Sequence, residues 1–316
     1  APSLGLWRVK AAGHSTQPTT QAQTAQGQDL PEVKLDQTWK EKIYGLAPEK
    51  ATFAVSEKKK ILVFSLHTGY EHWVIPHTEQ MIKIISEKSG AFEVTGSKDI
   101  SMFEAKNLAK YDAIVLNNTC SKGDHRNLFW DKLLADSDAD SVVLMKKALQ
   151  MEENLLQYVE KGGGLLFVHG AVTTQNNSRA FSKLVGASFD YHPPQQSIQI
   201  KLADPKHPLV QAFPATGFNH VDEPYFYKNA YEDLDFKPLL YFNNAEIADQ
   251  KKPLTEGKTY VAWIRAQGKG KVMYCSPSHN AQSFENPDLL RFYLNGLQYV
   301  VGDVECDETP VGKESL

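Results

Sequence analysis

Lys161-Gly162-Gly163-Gly164-Leu165-Leu166-Phe167-Val168-His169-Gly170-Ala171 is the stretch that decides the fold. A helical pattern ends at the glycines, which commonly terminate helices. Leu165 to Val168 then form a short apolar run that predicts a buried strand. His169 stands where that strand gives way to a Gly-containing turn. In open α/β sheets, ligands bind outside the carboxyl ends of the strands. A sharp strand-to-helix turn at that edge lifts a side chain out of the packed layer. Nucleophile elbows place Ser or Cys there. A histidine instead marks a candidate site and argues against acyl-enzyme chemistry.

Upstream, the positions Leu144, Ala148, Met151, Leu155, Leu156 and Val159 predict an amphipathic helix over Val142–Glu160. Ile61-Leu62-Val63-Phe64-Ser65-Leu66 and Ala113-Ile114-Val115-Leu116-Asn117-Asn118 are continuous apolar runs, the mark of parallel strands covered on both faces. Between them lie a helix over Ile75–Lys88, with Pro76 in its first turn, and a strand at Phe92–Thr95. The alternation predicts right-handed crossovers and a doubly wound, flavodoxin-like α/β sheet. Downstream the chain is richer in strands: Ser197–Leu202 with period two, Leu239–Phe242, Tyr260–Ile264 and Lys271–Cys275. Gly268-Lys269-Gly270 makes a turn between the last two, and a final helix covers Pro287–Val301.

This pattern predicts one α/β domain over residues 58–303, a flexible, irregular extension over 1–57 and a loose acidic tail over 304–316. Within the extension, Trp39–Leu46 reads as a short docking segment. Residues 1–28 are rich in Ala, Thr, Gln, Ser and Gly, and Thr16–Gln28 carries no charge. Such a segment has too little apolar area to offset its ordering entropy. It predicts an exported, periplasmic or secreted protein whose signal peptide has been removed, with a cytoplasmic protein as the alternative.

The net charge of −4 provides no basic field for phosphate backbones, so nucleic acid is not an expected partner. No apolar stretch approaches the roughly 20 residues of a membrane-spanning helix. Cys120, Cys275 and Cys306 form no ligand-spaced cluster and read as small buried hydrophobes. No phosphate-binding glycine loop follows a strand.

Polar groups recur at or just after the predicted strand ends. His67 to His72 follow the first strand, Asn117 and Asn118 end the third, His169 ends the fourth, and His279 follows the strand at Lys271–Cys275. A lone histidine is usually structural. Several at one edge of a parallel sheet point instead to a shared site. Asp222-Glu223-Pro224-Tyr225 supplies the acidic candidate. Adjacent residues on an extended stretch point opposite ways, so one carboxylate faces the site and the other holds the loop. His192 precedes proline, which favours extended backbone. Tyr70, Trp73, Tyr225, Phe226 and Tyr227 are aromatics near the site, suited to packing on sugar C–H faces.

The ordered set of motifs resembles the ThuA-like family, named for trehalose utilisation. The matching residues are Ile61–Phe64 with Gly69-Tyr70-Glu71-His72 and Ile75-Pro76; Tyr111–Val115 with Asn117-Asn118-Thr119; Gly162–Ala171; Leu184–Phe189 with His192-Pro193; Asp222-Glu223-Pro224-Tyr225; and Gly268–Val272 with Ser278-His279 through Pro287. The resemblance runs over about Lys60–Asp303. It departs from the family at Ser278, where glycine is usual, and in Ser121–Val142, which reads as an insertion able to form a lid or interface. It implies a fold like that of class I glutamine amidotransferases. His169 occupies their nucleophile position, so glutaminase activity is not implied.

The resemblance further implies carbohydrate metabolism, with trehalose-like or oxidised (keto) sugars as the substrate class. For His72, His169, Glu223 and His279, the positions that match the metal-holding residues of some members, two readings stay open: a hydrogen-bonded His/Glu network with water, and a divalent-metal site for which zinc is the suitable ion. The expected catalytic residues are His169, His279, Glu223 and His72. The expected substrate-binding residues are Asn118, Tyr70, His192, Asp222 and Tyr225. Two functions remain open: a sugar-processing hydrolase, lyase or isomerase working by His/Glu acid–base chemistry, and a non-catalytic sugar-binding or accessory protein. The expected partner is a small carbohydrate, and a homo-oligomer remains open.

Overall fold

A computed structural model describes residues 29–251 and 256–312. The chain runs through α1 (Gln37–Leu46), β1 (Lys59–Phe64), α2 (Ile75–Ser89), β2 (Phe92–Ser97), α3 (Ala105–Leu108) and β3 (Ala113–Asn117). It continues with α4 (Leu128–Asp136), α5 (Ser141–Glu160), β4 (Gly164–Val168), α6 (Arg179–Val185), β5 (Ser188–Tyr191) and β6 (Gln196–Leu202). Next come β7 (Phe218–Asp222), β8 (Phe226–Lys228), β9 (Lys237–Asn243), β10 (Lys258–Gln267), β11 (Gly270–Cys275) and α7 (Pro287–Val300).

The main sheet has the order β2-β1-β3-β4-β11-β10-β9-β6-β7. From β2 to β11 all pairings are parallel, and from β11 through β10, β9 and β6 to β7 all are antiparallel. The parallel part has the flavodoxin-like order, with its reversal between β1 and β3. Strand periodicity explains its continuous apolar runs. Ile61, Val63, Leu166, Val168, Met273 and Cys275 join one core with α2 and α7. Leu62, Phe64, Leu165, Phe167, Val272 and Tyr274 join a second core with α5 and α6. Every residue meets a covered face, so no polar alternation survives. β5 and β8 form a separate antiparallel pair.

Two expectations are corrected. The extension placed over residues 1–57 is folded where it is described. The Asp36 carboxylate caps α1 by accepting the Trp39 backbone N–H, and Trp39 and Ile43 are buried in the first core. His77 secures this arm: its ring lies edge-on to Trp39 and Trp73, and its Nε2 donates to the Val33 carbonyl at 2.6 Å. The first 28 residues lie outside the described residues. The tail is also held as far as residue 312. Glu308 pairs with Lys271 at 2.7 Å and accepts the Tyr299 hydroxyl, while the Val311 N–H donates to the Phe236 carbonyl at 3.1 Å. The stretch Ser121–Val142 contains α4, whose Leu128 and Phe129 are buried against the second core.

No helix among the described residues is long and apolar enough to cross a membrane.

Candidate functional site

Three imidazoles converge on one carboxylate at the carboxyl edge of the sheet. His169 begins the 3-10 turn His169–Thr173 directly after β4, with a left-handed φ of 47°. Such backbone is uncommon for a non-glycine residue and persists only where its surroundings enforce it. Here Asn118 Oδ1 accepts the Gly170 N–H at 3.1 Å, and the Tyr274 hydroxyl donates to the His169 carbonyl at 3.1 Å. Glycine is required at 170: a Cβ there would lie 2.5 Å from Cys120 Sγ and 2.8 Å from His72 Cε1. His72 arrives on the loop after β1. His279 arrives on the loop after β11, where the Tyr293 hydroxyl anchors the Pro277 carbonyl.

The carboxylate comes from the antiparallel part of the sheet. Glu223 follows β7, and its Oε1 lies 2.8 Å from His279 Nδ1, 3.0 Å from His169 Nε2 and 3.9 Å from His72 Nε2. Its Oε2 lies 3.0 Å from His192 Nε2. The neighbouring Asp222 points the other way. One of its oxygens accepts both the Glu223 N–H at 2.8 Å and the His279 N–H at 3.0 Å. It thereby fastens the two loops that meet in the cluster. Burial pushes the Asp222 carboxyl up to about 7.

Hydrogen bonding fixes which nitrogens face the centre. His169 Nδ1 lies 2.7 Å from the Ser276 carbonyl, a contact that only an N–H can make. In the neutral ring, Nε2 therefore carries a lone pair toward Glu223 Oε1. Complete burial opposes the imidazolium and, with the neighbouring His72 and His279, holds His169 down to about 3 despite Glu223. Burial likewise lowers His72. Burial alone would raise Glu223, but contacts with His169, His279 and His72 hold it well below the carboxylate range. Burial opposes protonation of His279 as well, but its contact with Glu223 leaves it raised. One proton on His279 Nδ1 satisfies one contact. The lone pair of His169 still faces an anionic oxygen at 3.0 Å.

A cation between these groups removes that conflict, and the donors present suit one. His72, His169, Glu223 and His279 each offer a ligand atom, all within 4.8 Å of one another. The His169 Nε2–His279 Nδ1 separation is 3.2 Å. With the contacts of 2.8, 3.0 and 3.9 Å, it brackets the donor spacing of about 3.3 Å expected for tetrahedral bonds of about 2.0–2.1 Å. The Ser276 carbonyl behind His169 is the type of outer partner that orients metal-binding imidazoles.

A cavity of about 190 Å³ opens in front of the cluster, lined by Tyr70, His72, Cys120, Arg126, Thr173, Phe189, His192, Glu223 and Tyr225. Of the expected substrate-binding residues, Tyr70, His192 and Tyr225 line it. Tyr225 also stacks on His169, with ring centroids 4.2 Å apart. Asn118 and Asp222 do not line it. Both are buried, with their side-chain oxygens engaged by backbone N–H groups. Arg126, Cys120, Thr173 and Phe189 escape sequence reasoning as site residues. Of these, Cys120 alone leaves a sequence signal, being two residues past a predicted strand end. Burial pushes its thiol up to about 12, so it is no thiolate nucleophile.

Comparison with known proteins follows the same outline. Two solved structures share the fold. A ThuA-like protein of Bacteroides uniformis has 19% identity and a TM-score of 0.58, covering 79% of this chain and 94% of its own. A ThuA-like protein of Parabacteroides merdae has 16% identity and a TM-score of 0.53, covering 80% and 98%. No curated protein sequence matches the chain. The family model described as trehalose utilisation matches residues 60–300, from the first strand to the end of the last helix, and by that match the chain belongs to the ThuA family.

Proposed function

We propose that the chain is a sugar-processing enzyme, a hydrolase, lyase or isomerase, acting on trehalose-like or keto-glycosides at the cluster of His72, His169, Glu223 and His279. The observation that carries this reading is the buried meeting of the His169 lone pair with the Glu223 carboxylate. A protein that only recognises hydroxyl groups has no need of an arrangement that requires an added proton or cation to be stable. His72 and His169 through Nε2, His279 through Nδ1 and Glu223 through Oε1 would hold a divalent metal, with zinc favoured by the donor set. A metal bound there supplies Lewis acidity toward a sugar oxygen and lowers the pKa of a coordinated water.

The other groups of the cavity handle substrate and protons. His192 Nδ1 donates to the Pro193 carbonyl at 2.7 Å, so its contact with Glu223 Oε2 is attractive when the ring carries its second proton. With its side chain 34% exposed, His192 is placed to pass a proton between solvent and the cavity. Tyr70, Phe189 and Tyr225 provide aromatic surface for sugar C–H faces. Burial pushes the Tyr225 phenol well above its ordinary range, so it serves as a neutral wall. The uncharged run Thr16–Gln28 supports export, which cell fractionation tests.

The test is to incubate the purified protein with disaccharides and 3-keto-glycosides, follow products by NMR, and measure bound metal by elemental analysis. Turnover with stoichiometric metal, both lost in His169→Ala and Glu223→Gln, is the expected result. Tight sugar binding without turnover, altered only in affinity by His169→Ala, would replace the enzyme with an accessory sugar binder.

A further inference from the structure

Arg126 is the one guanidinium among the residues lining the cavity. It lies on the loop between β3 and α4, in backbone with a left-handed φ of 49°. Its N–H donates to the Lys122 carbonyl at 2.9 Å, and its Nη1 donates to the Ser121 carbonyl at 3.3 Å. A guanidinium has five N–H donors. Among the described residues, the others have no hydrogen-bond acceptor and no carboxylate pairs with the group. Glu223 does not neutralise it, because one oxygen of Glu223 faces the imidazoles and the other faces His192.

The loop that carries this charge is fixed on several sides. Ser121 Oγ donates to the Thr173 carbonyl at 2.8 Å. The Asp131 carboxylate accepts the Lys122 N–H at 3.0 Å and the Thr68 hydroxyl at 2.6 Å. His125 stacks on Trp130, with centroids 5.1 Å apart and planes 8° from parallel. Position 69 must be glycine, since a Cβ there would lie 2.2 Å from the Ser121 oxygen. A mobile surface arginine needs none of this. The left-handed backbone and its four-sided support hold an unpaired fork of donors at the cavity in advance of any ligand. Such preorganisation lowers the entropy lost on binding.

We infer that Arg126 makes the site selective for a sugar whose entering ring carries an anionic oxygen group, a carboxylate or a phosphate. The inference rests on the sugar-processing reading above and adds its substrate class. A guanidinium fork matches two oxygens of either group side by side. A volume of about 190 Å³ is the space of about six water molecules. It takes one ring and leaves the rest of a glycoside outside. With a divalent metal in the cluster, the charge facing that ring is positive, which further favours an anion.

Calorimetric titration of the full chain, as purified, with methyl glucoside, methyl glucuronide and glucose 6-phosphate tests the proposal. The parent should bind one acidic sugar at least about tenfold more tightly than the glucoside, the scale of a charge-assisted hydrogen bond. Whichever acidic sugar wins identifies carboxylate or phosphate. Arg126→Gln should lower the affinity for that sugar at least about tenfold more than the affinity for the glucoside, whose remaining binding reports an intact site. Arg126→Lys should fall between. Equal binding of all three sugars by the parent, a preference that survives in Arg126→Gln, or equal loss of acidic and neutral sugars would each overturn the role of Arg126 while leaving sugar binding in place. Failure of the parent to bind any of them would remove the sugar-processing reading, and this inference with it.

Discussion

The parallel and antiparallel parts of the sheet contribute opposite things to the cluster. The parallel part supplies the imidazoles: His72 follows β1, His169 follows β4 and His279 follows β11. Each strand there is buried on both faces, so each histidine starts from a backbone that has little freedom. The antiparallel part supplies Glu223 from the end of β7, and the small β5/β8 pair brings His192 and Tyr225. β5 and β8 are short, with four and three residues, and pair with a register shift between Phe189 and Tyr191. Strands covered on both faces thus hold the bases, while the end of an antiparallel strand and a short strand pair deliver the acid and the walls of the cavity.

The sharpest way to break this contrast is to weaken each part in turn. Phe167→Ala on β4 removes a fully buried ring from the parallel frame and should cost about 3–5 kcal/mol in urea denaturation. Phe189→Ala on the partly exposed β5 should cost less than half of that. Equal losses would mean that the two parts are packed equally tightly at these positions.

A smaller effect in free energy is expected at the junction itself. Glu223→Gln keeps the shape and removes the charge. If the chain is the proposed metal-dependent enzyme, this change should reduce kcat by about a hundredfold or more, the usual share of acid–base chemistry, and abolish metal binding, with the far-ultraviolet dichroism unchanged. Retained metal and activity would show that the imidazoles suffice without the antiparallel contribution.

Asp222→Ala leaves two backbone N–H groups without their acceptor and should cost about 2 kcal/mol in the same denaturation assay. Asp222→Asn keeps an acceptor oxygen and should recover most of that stability. If the two variants are indistinguishable, the carboxylate is not what ties the loops together. At the lower end, Val142→Lys on the exposed start of α5, where Val142 is 75% exposed, should change stability by no more than about 0.5 kcal/mol. A larger loss would reveal a covering surface in solution and would be visible as a change in oligomeric state.

The same contrast governs what can be read from the sequence. Ile61–Leu66, Ala113–Asn118 and Leu165–Val168 are legible because both faces of their strands are covered, so hydrophobicity is continuous. The helices α2, α5 and α7 are legible from their apolar spacing and from their proline or glycine boundaries. β5, β7 and β8 are not. Ser188–Tyr191 and Phe226–Lys228 are too short to show a period, and Phe218–Asp222 includes the polar residues Asn219 and His220. His169 announces itself by standing between a strand and a glycine. The opposed directions of Asp222 and Glu223 follow from extended backbone alone, and the structure has them that way. Arg126 gives no such sign, because its signal is a left-handed backbone angle and a set of distant supports. His77 is similar: inside a helical pattern it looks like a surface residue until Trp39 and Val33 are placed against it.

His169 and His279 are 110 positions apart in the chain, and Glu223 lies 54 positions from His169. Bringing such distant segments together carries the loop-closure entropy of long chains, and native contacts of this kind form only after that search is complete. The cluster therefore exists only in the fully assembled chain, and an ion that fits it has nothing comparable to bind in the unfolded one. By mass action, a metal present at a thousand times its dissociation constant would add about 4 kcal/mol to the stability of the whole domain. The meeting of the two parts of the sheet is thus a clasp: what fills it would secure the fold from the inside, and a chelator would lower the melting temperature as well as the activity.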